Sequence, residues 1–161
     1  MYKCFFKRLF DIIGAIFLLP FVMLVVIIFA PIIYFTDKGP IFYNAPRVGK
    51  HFKIFKMYKL RSMYVNAPDI RNSDGSTYNA EDDPRVTSIG RFMRKTSIDE
   101  FPQFLNVLTG DMSFIGPRPI LPRNEYTEMQ EYLREMMTVR PGITGYNQAN
   151  YRNSIARIDK Y

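Results

Sequence analysis

The 161 residues include one cysteine, Cys4, and one histidine, His51, and no tryptophan. A lone cysteine closes no internal disulfide, and one cysteine with one histidine cannot furnish a Cys/His zinc site. A nucleophile activated by imidazole would have to use His51. That residue sits in "RVGKHF", which reads as a solvated hairpin turn. Ser-His-Asp and Cys-His chemistry is therefore not expected, and catalysis must fall to carboxylates, lysines and arginines. Acids are also missing over a long interval: none lies between Lys38 and Arg61, where Arg47, Lys50, Lys53, Lys56 and Lys59 are found. No internal repeat or low-complexity tract interrupts the chain.

Composition is 47% hydrophobic and 16% aromatic with a formal charge of +7. It excludes a disordered chain and points to an anionic partner, whether phosphate, nucleic acid or a lipid surface. The length suits one domain with one core. Ile12 to Phe35 is a run of 24 residues without a charge. As a straight helix it would reach about 36 Å against a hydrocarbon core of roughly 30 Å, so it belongs in lipid. Lys3, Lys7 and Arg8 precede the run and the basic interval follows it. The positive-inside tendency places both flanks on the cytoplasmic face, which a re-entrant segment satisfies. Pro20, near the middle, lacks an amide donor and leaves the Ile16 carbonyl without a helical partner, so a break is expected there. Composition alone leaves a kinked single span equally open.

Pro40 to Met63 reads as a β-hairpin turning at "VGKH". Period 2 in its second strand puts Lys53, Phe55, Met57, Lys59 and Arg61 on one face, where Lys59 and Arg61 can point together at an anion or simply face headgroups. Val65 to Pro84 is polar and turn-rich, and its "NSDGS" lacks the ligand spacing of an EF-hand. Arg85 to Thr96 reads as a short basic amphipathic helix for a membrane surface. Ser97 to Leu108 carries Ile98, Phe101, Phe104, Leu105 and Leu108 at helical spacing, and Ser97 with Glu100 fits a capping box. On that pattern alone, Asp99 and Glu100 are either chemistry or an acidic first turn. Arg118, between two prolines in "FIGPRPILP", is an anion-binding arginine on a stiff mount or part of a rigid connector. Asn124 to Val139 reads as a core-packed helix, and "RPGITG" as a Pro-Gly turn.

Taken in order, "YKLRSM" (Tyr58 to Met63), "DDPRVTSIGRFMRKTSIDEFPQFLNVLTGDMSFIGPRP" (Asp82 to Pro119) and "RPGITG" closely resemble the bacterial sugar transferases, the monotopic phosphoglycosyl transferases. The resemblance runs nearly the whole chain. It implies an α+β fold with an N-terminal re-entrant membrane helix over residues 1–39, broken at Pro20. A β-hairpin and short amphipathic interfacial helices around a small catalytic domain would follow over 40–161. The implied location is the cytoplasmic face of the bacterial inner membrane.

The implied reaction transfers a phosphosugar from a UDP-sugar to polyprenol (undecaprenol) phosphate with release of UMP, as the first membrane step of surface glycan assembly. The resemblance makes Asp99 and Glu100 the catalytic dyad. Both are expected ligands of Mg2+, with Glu100 binding the metal or supporting the dyad. The resemblance also associates Arg94 and Arg118, with Lys59 and Arg61 of the basic motif, with substrate binding. The helix dipole is expected to keep Asp99 anionic as the nucleophile. Two departures stand out. Leu19-Pro20 occupies the place of a Ser-Pro pair found in many members, and the chain stops at "ARIDKY" where members continue, so it reads as a truncated form. Membrane lipid is an expected partner and nucleic acid is not; a homo-oligomer or contact with other glycan-assembly enzymes remains open. The rival readings are an inactive membrane-associated scaffold and a basic module for anionic lipid or nucleic acid.

Overall fold

The structure, a computed structural model, describes residues 2–72, 78, 80, 82–122 and 131–145, with side chains of 2–4 and 131–133 left aside. Helices α1 (Tyr2–Asp37), α2 (Ser88–Thr96), α3 (Gln103–Thr109) and α4 (Glu131–Met136) accompany strands β1 (Ala45–Val48), β2 (Ile54–Met57), β3 (Ser113–Ile115) and β4 (Gly142–Thr144). The fold is thus α+β, as expected. The chain forms two compact units that divide α1 between Leu19 and Pro20.

Helix α1 is long and apolar enough to cross a membrane, and most of its apolar stretch is exposed. Phe17 is 72% exposed, and Phe10, Met23, Ile27 and Phe35 are similarly bare. Exposure of that extent along one element suits association with a membrane. The helix continues through both Pro20 and Pro31, so the expected interruption at Pro20 does not end it.

The first unit holds residues 1–19, 44–57 and 103–161. Its hairpin pairs β1 with β2 antiparallel, Val48 opposite Ile54. Both strands are shorter than the sequence pattern suggested. The turn carries His51 and Phe52 at positive φ, and His51 is exposed, in agreement with a solvated turn. Phe55 and Met57 alternate inward onto Ala15, Val107 and Met112, while Ile54 and Lys56 face out. Two polar anchors fix the first turns of α1. Arg8 donates to the Val107 and Leu108 carbonyls at the end of α3. The buried Asp11 accepts from Ser113 Oγ and the Phe114 amide. Strands β3 and β4 pair in parallel, so "RPGITG" is in part a strand and not only a turn. The expected helix from Asn124 is described only from Glu131 on.

The second unit holds residues 20–43 and 58–102. Tyr43 donates to the Lys59 carbonyl and Arg61 to that of Ile41, pairing the two segments around Phe42 and Leu60. Leu60 and Met93 are fully buried with Phe29 and Ile33. Helix α2 matches the expected amphipathic element: Met93 is buried, Phe92 stacks on Phe29, and Arg91 and Lys95 are exposed. Thr87 caps it, its Oγ accepting from the Gly90 amide at 2.9 Å.

Candidate active site

Ser97 ends α2 in the left-handed conformation, φ 58°, and the next three residues, Ile98–Glu100, form a single 3-10 turn. The helix expected from Ser97 to Leu108 is therefore two pieces, with Phe101 and Pro102 between this turn and α3. The expected capping box is also absent, because the Ser97 side chain makes no cap hydrogen bond. Glu100 instead turns its carboxylate toward Lys59.

The Leu60 amide donates to the Asp99 carbonyl at 2.9 Å, tying the 3-10 turn to the segment that carries Lys59. Lys59 Nζ lies 2.8 Å from Asp99 Oδ2 and 3.4 Å from Glu100 Oε1. Asp99 is only 1% exposed. Its Oδ2 is held by the Lys59 ammonium as an ion pair and accepts a hydrogen bond from no other group among the described residues. Burial pushes the Asp99 carboxyl above its ordinary value, opposed by the Lys59 charge and reinforced by Glu100. The dipole argument for Asp99 loses its premise, because a single 3-10 turn offers little macrodipole.

Arg94, on the last turn of α2, donates from Nε to Ser62 Oγ at 2.9 Å. Burial lowers its pKa, with Asp99 and Asp83 countering that effect. Arg61 does not share a face with Lys59 as period 2 suggested; it is buried, with its guanidinium on Asp37 at the end of α1. The alternation fails after Met57, since consecutive Leu60, Arg61 and Ser62 are all buried. Arg118 belongs to the first unit and is exposed.

Sequence reasoning missed Asp37, Ser62 and the buried pair Asp83 and Arg85. Arg85 grips Asp83 and also donates to the carbonyls of Pro68, Ile70 and Tyr78, which fastens the polar loop. The one available signal was "DDPR", whose acid and arginine stand two apart.

Among the described residues no three His, Cys, Asp or Glu side chains gather as a metal cage. Two adjacent carboxylates, one with a buried oxygen that Lys59 alone meets among the described residues, still fit Mg2+. That ion is usually held by one or two carboxylates and completes its octahedron with waters and substrate phosphates.

A buried carboxylate pressed against a lysine, with a second carboxylate and a desolvated arginine beside it, has the chemistry to act on an anionic substrate. The chain matches the bacterial sugar transferase family over residues 2–161 and belongs to it. It is 44% identical over 161 residues to the galactosyl transferase CpsE of Streptococcus agalactiae serotype III (strain NEM316), covering 96% of this chain and 35% of CpsE. It is 43% identical over 157 residues to the sugar transferase EpsL of Bacillus subtilis (strain 168), covering 96% of this chain and 73% of EpsL. A UDP-glucose:undecaprenyl-phosphate glucose-1-phosphate transferase of Escherichia coli (strain K12) is 39% identical over 157 residues, covering 96% of this chain and 33% of that one. The chain thus spans about a third of the length of CpsE and of the Escherichia coli transferase.

Proposed function

We propose that the chain is a phosphoglycosyl transferase that moves a phosphosugar from a UDP-sugar to undecaprenol phosphate at the cytoplasmic face of the bacterial inner membrane. The observation that carries the reading is the Asp99 carboxylate, buried, with Lys59 the one group among the described residues that meets its Oδ2. The relatives' names support the substrate class, since the Escherichia coli protein is named for UDP-glucose, undecaprenyl phosphate and glucose-1-phosphate. The length and apolar composition of α1 support a membrane location; a course that enters and leaves on the same face is part of the proposal.

In the first half-reaction an Asp99 carboxylate oxygen attacks the β-phosphorus of the UDP-sugar. The new P–O bond forms as the bond to the α-phosphate oxygen breaks, and UMP leaves with that electron pair. In the second, a phosphate oxygen of undecaprenol phosphate attacks the same phosphorus, releasing the carboxylate and giving undecaprenol diphosphosugar. Covalent capture divides one transfer between a soluble and a lipid substrate into two displacements. Lys59 offsets the repulsion between carboxylate and phosphates, and Arg94, fixed by Ser62, presents a second cation. Asp99 and Glu100 would hold Mg2+, which when bound neutralises diphosphate charge.

Detergent-solubilised protein given UDP-glucose or UDP-galactose labelled at the β-phosphate should acquire covalent label and release UMP. Asp99→Asn should acquire none. Equal labelling of the variant would refute Asp99 as nucleophile, and UMP release without covalent label would refute the two-step course.

A further inference from the structure

Arg61 has five N–H donors, and every one has an acceptor. Nε donates to the Pro40 carbonyl at 2.5 Å. Nη1 donates to Asp37 Oδ2 at 2.6 Å and to the Met63 carbonyl at 3.0 Å. Nη2 donates to Asp37 Oδ1 at 2.6 Å and to the Ile33 carbonyl at 3.3 Å. A guanidinium so saturated has nothing left for a phosphate unless part of this set is dismantled. Asp37 is equally committed, accepting also from the Gly39 and Val65 amides.

The position of Asp37 is informative. It closes α1, where the helix dipole disfavours an anion, so a cation must stand against it. Lys38 follows in the left-handed conformation, φ 58°, its amide donating to the Tyr34 carbonyl, and turns the chain away. Gly39 then leaves room for the guanidinium, since a Cβ there would meet Arg61 Nη2 at 3.0 Å and Val65 Cγ2 at 2.1 Å. Two residues before Arg61 stands Lys59, and between them the Leu60 amide holds the Asp99 carbonyl.

We propose that Arg61 is a positioning residue: with Asp37 it latches the end of the apolar helix to the segment bearing Lys59, and thereby sets the Lys59 ammonium against Asp99 and Glu100. The catalytic consequence rests on the transferase reading above; the geometric one does not. The buried ion pair thus adds a polar lock to the packing of Phe29 and Ile33 on Leu60.

The test uses the full chain in detergent and reads Lys59 directly. Amine-reactive footprinting with mass spectrometry compares Lys59 with the exposed Lys95 in wild type, Asp37→Asn and Asp37→Glu. The latch predicts that Asp37→Asn raises Lys59 labelling severalfold with Lys95 unchanged, and that Asp37→Glu restores protection in large part. With labelled UDP-glucose or UDP-galactose, whichever gives capture, Asp37→Asn should lower the capture rate about tenfold or more, as loss of reacting geometry does, without raising KM. If Arg61 instead binds substrate, releasing it from Asp37 should lower KM and leave Lys59 protected, which overturns the proposal. Should Asp37→Asn fail to fold, the double variant Asp37→Leu/Arg61→Met, which leaves no unpaired charge, replaces it; unchanged Lys59 labelling there also overturns it. Absence of both capture and UMP release in wild type would refute the transferase reading while the footprint still decides the latch.

Discussion

Replacing Asp99 by asparagine should make the protein more stable while abolishing capture. The side chain is 1% exposed and its Oδ2 meets only Lys59 among the described residues, so the folded state carries a carboxylate that water would solvate better. Asparagine keeps polar atoms at the same buried place, so what it relieves is the desolvation of the charge. Against this stands the Lys59 ion pair, but the lysine side chain is 23% exposed and keeps Glu100 at 3.4 Å when Asp99 is neutral. Lys59 is therefore not stranded, and a net gain of about 1–2 kcal/mol is expected. For a chain of this size that raises the melting temperature by roughly 2–8 °C. The sign with pH follows from linkage. Because the folded carboxyl is raised, the unfolded state releases its proton first, so wild type loses stability as pH climbs from about 4 through the folded value. The advantage of Asp99→Asn should vanish below that window and be full above it. Thermal melts of both proteins in one detergent at several pH values decide the matter. A variant that melts several degrees lower at neutral pH would show that the ion pair outweighs the burial, and the reasoning about stored electrostatic cost would be wrong.

Two further outcomes follow from packing and charge elsewhere in the second unit. Gly90→Ala would set its Cβ 2.0 Å from the Ser62 carbonyl oxygen, a backbone atom, so a cost of about 1–3 kcal/mol is expected despite alanine's better helix propensity; an unchanged melt would disprove the tight approach of α2 to that segment. For the Asp83 and Arg85 pair, Arg85 holds the Asp83 carboxyl below its ordinary value, so its stabilisation is complete above about pH 4 and drains away as pH falls through the lower folded value. Acid melts should show that loss, and Asp83→Asn should flatten it.

Helix α1, the hairpin and α2 were legible because each depends on local pattern: an uncharged run, alternation about a turn, and a basic stripe beside Ile89 and Met93. The helix expected from Ser97 was not, because Ser97 takes a left-handed conformation and Pro102 supplies no amide, so three residues of 3-10 turn stand where periodicity promised a longer helix. The parallel pairing of β3 with β4 was hidden too, since it joins residues about 29 apart and neither three-residue strand announces itself. At the site, motif order located Asp99, Glu100, Lys59 and Arg94 in one unit. What it lacked was burial. Nothing in "SIDEF" says that one carboxylate is sealed and its neighbour half-buried, and no spacing rule pairs Asp37 with an arginine 24 positions on.

The two cations of "YKLRSM" show why such a distinction matters for chemistry. Their spacing makes them look equivalent, yet their donor capacity is opposite. Arg61 has spent five donors on fixed acceptors, so moving it toward a substrate would leave Asp37 as a lone charge against a helix C-terminus. Lys59 has three donors and only two carboxylates near it, one at 2.8 Å and the other at 3.4 Å. It can donate to an incoming phosphate oxygen without abandoning either carboxylate, and its partial exposure lets the ammonium shift as charge moves. On the proposed displacement, negative charge passes from Asp99 to the phosphates, so the cation that can follow it is the one with a donor to spare. A rigid arginine beneath and an adaptable lysine above divide the labour of anchoring and neutralising between two positions that sequence alone makes look alike.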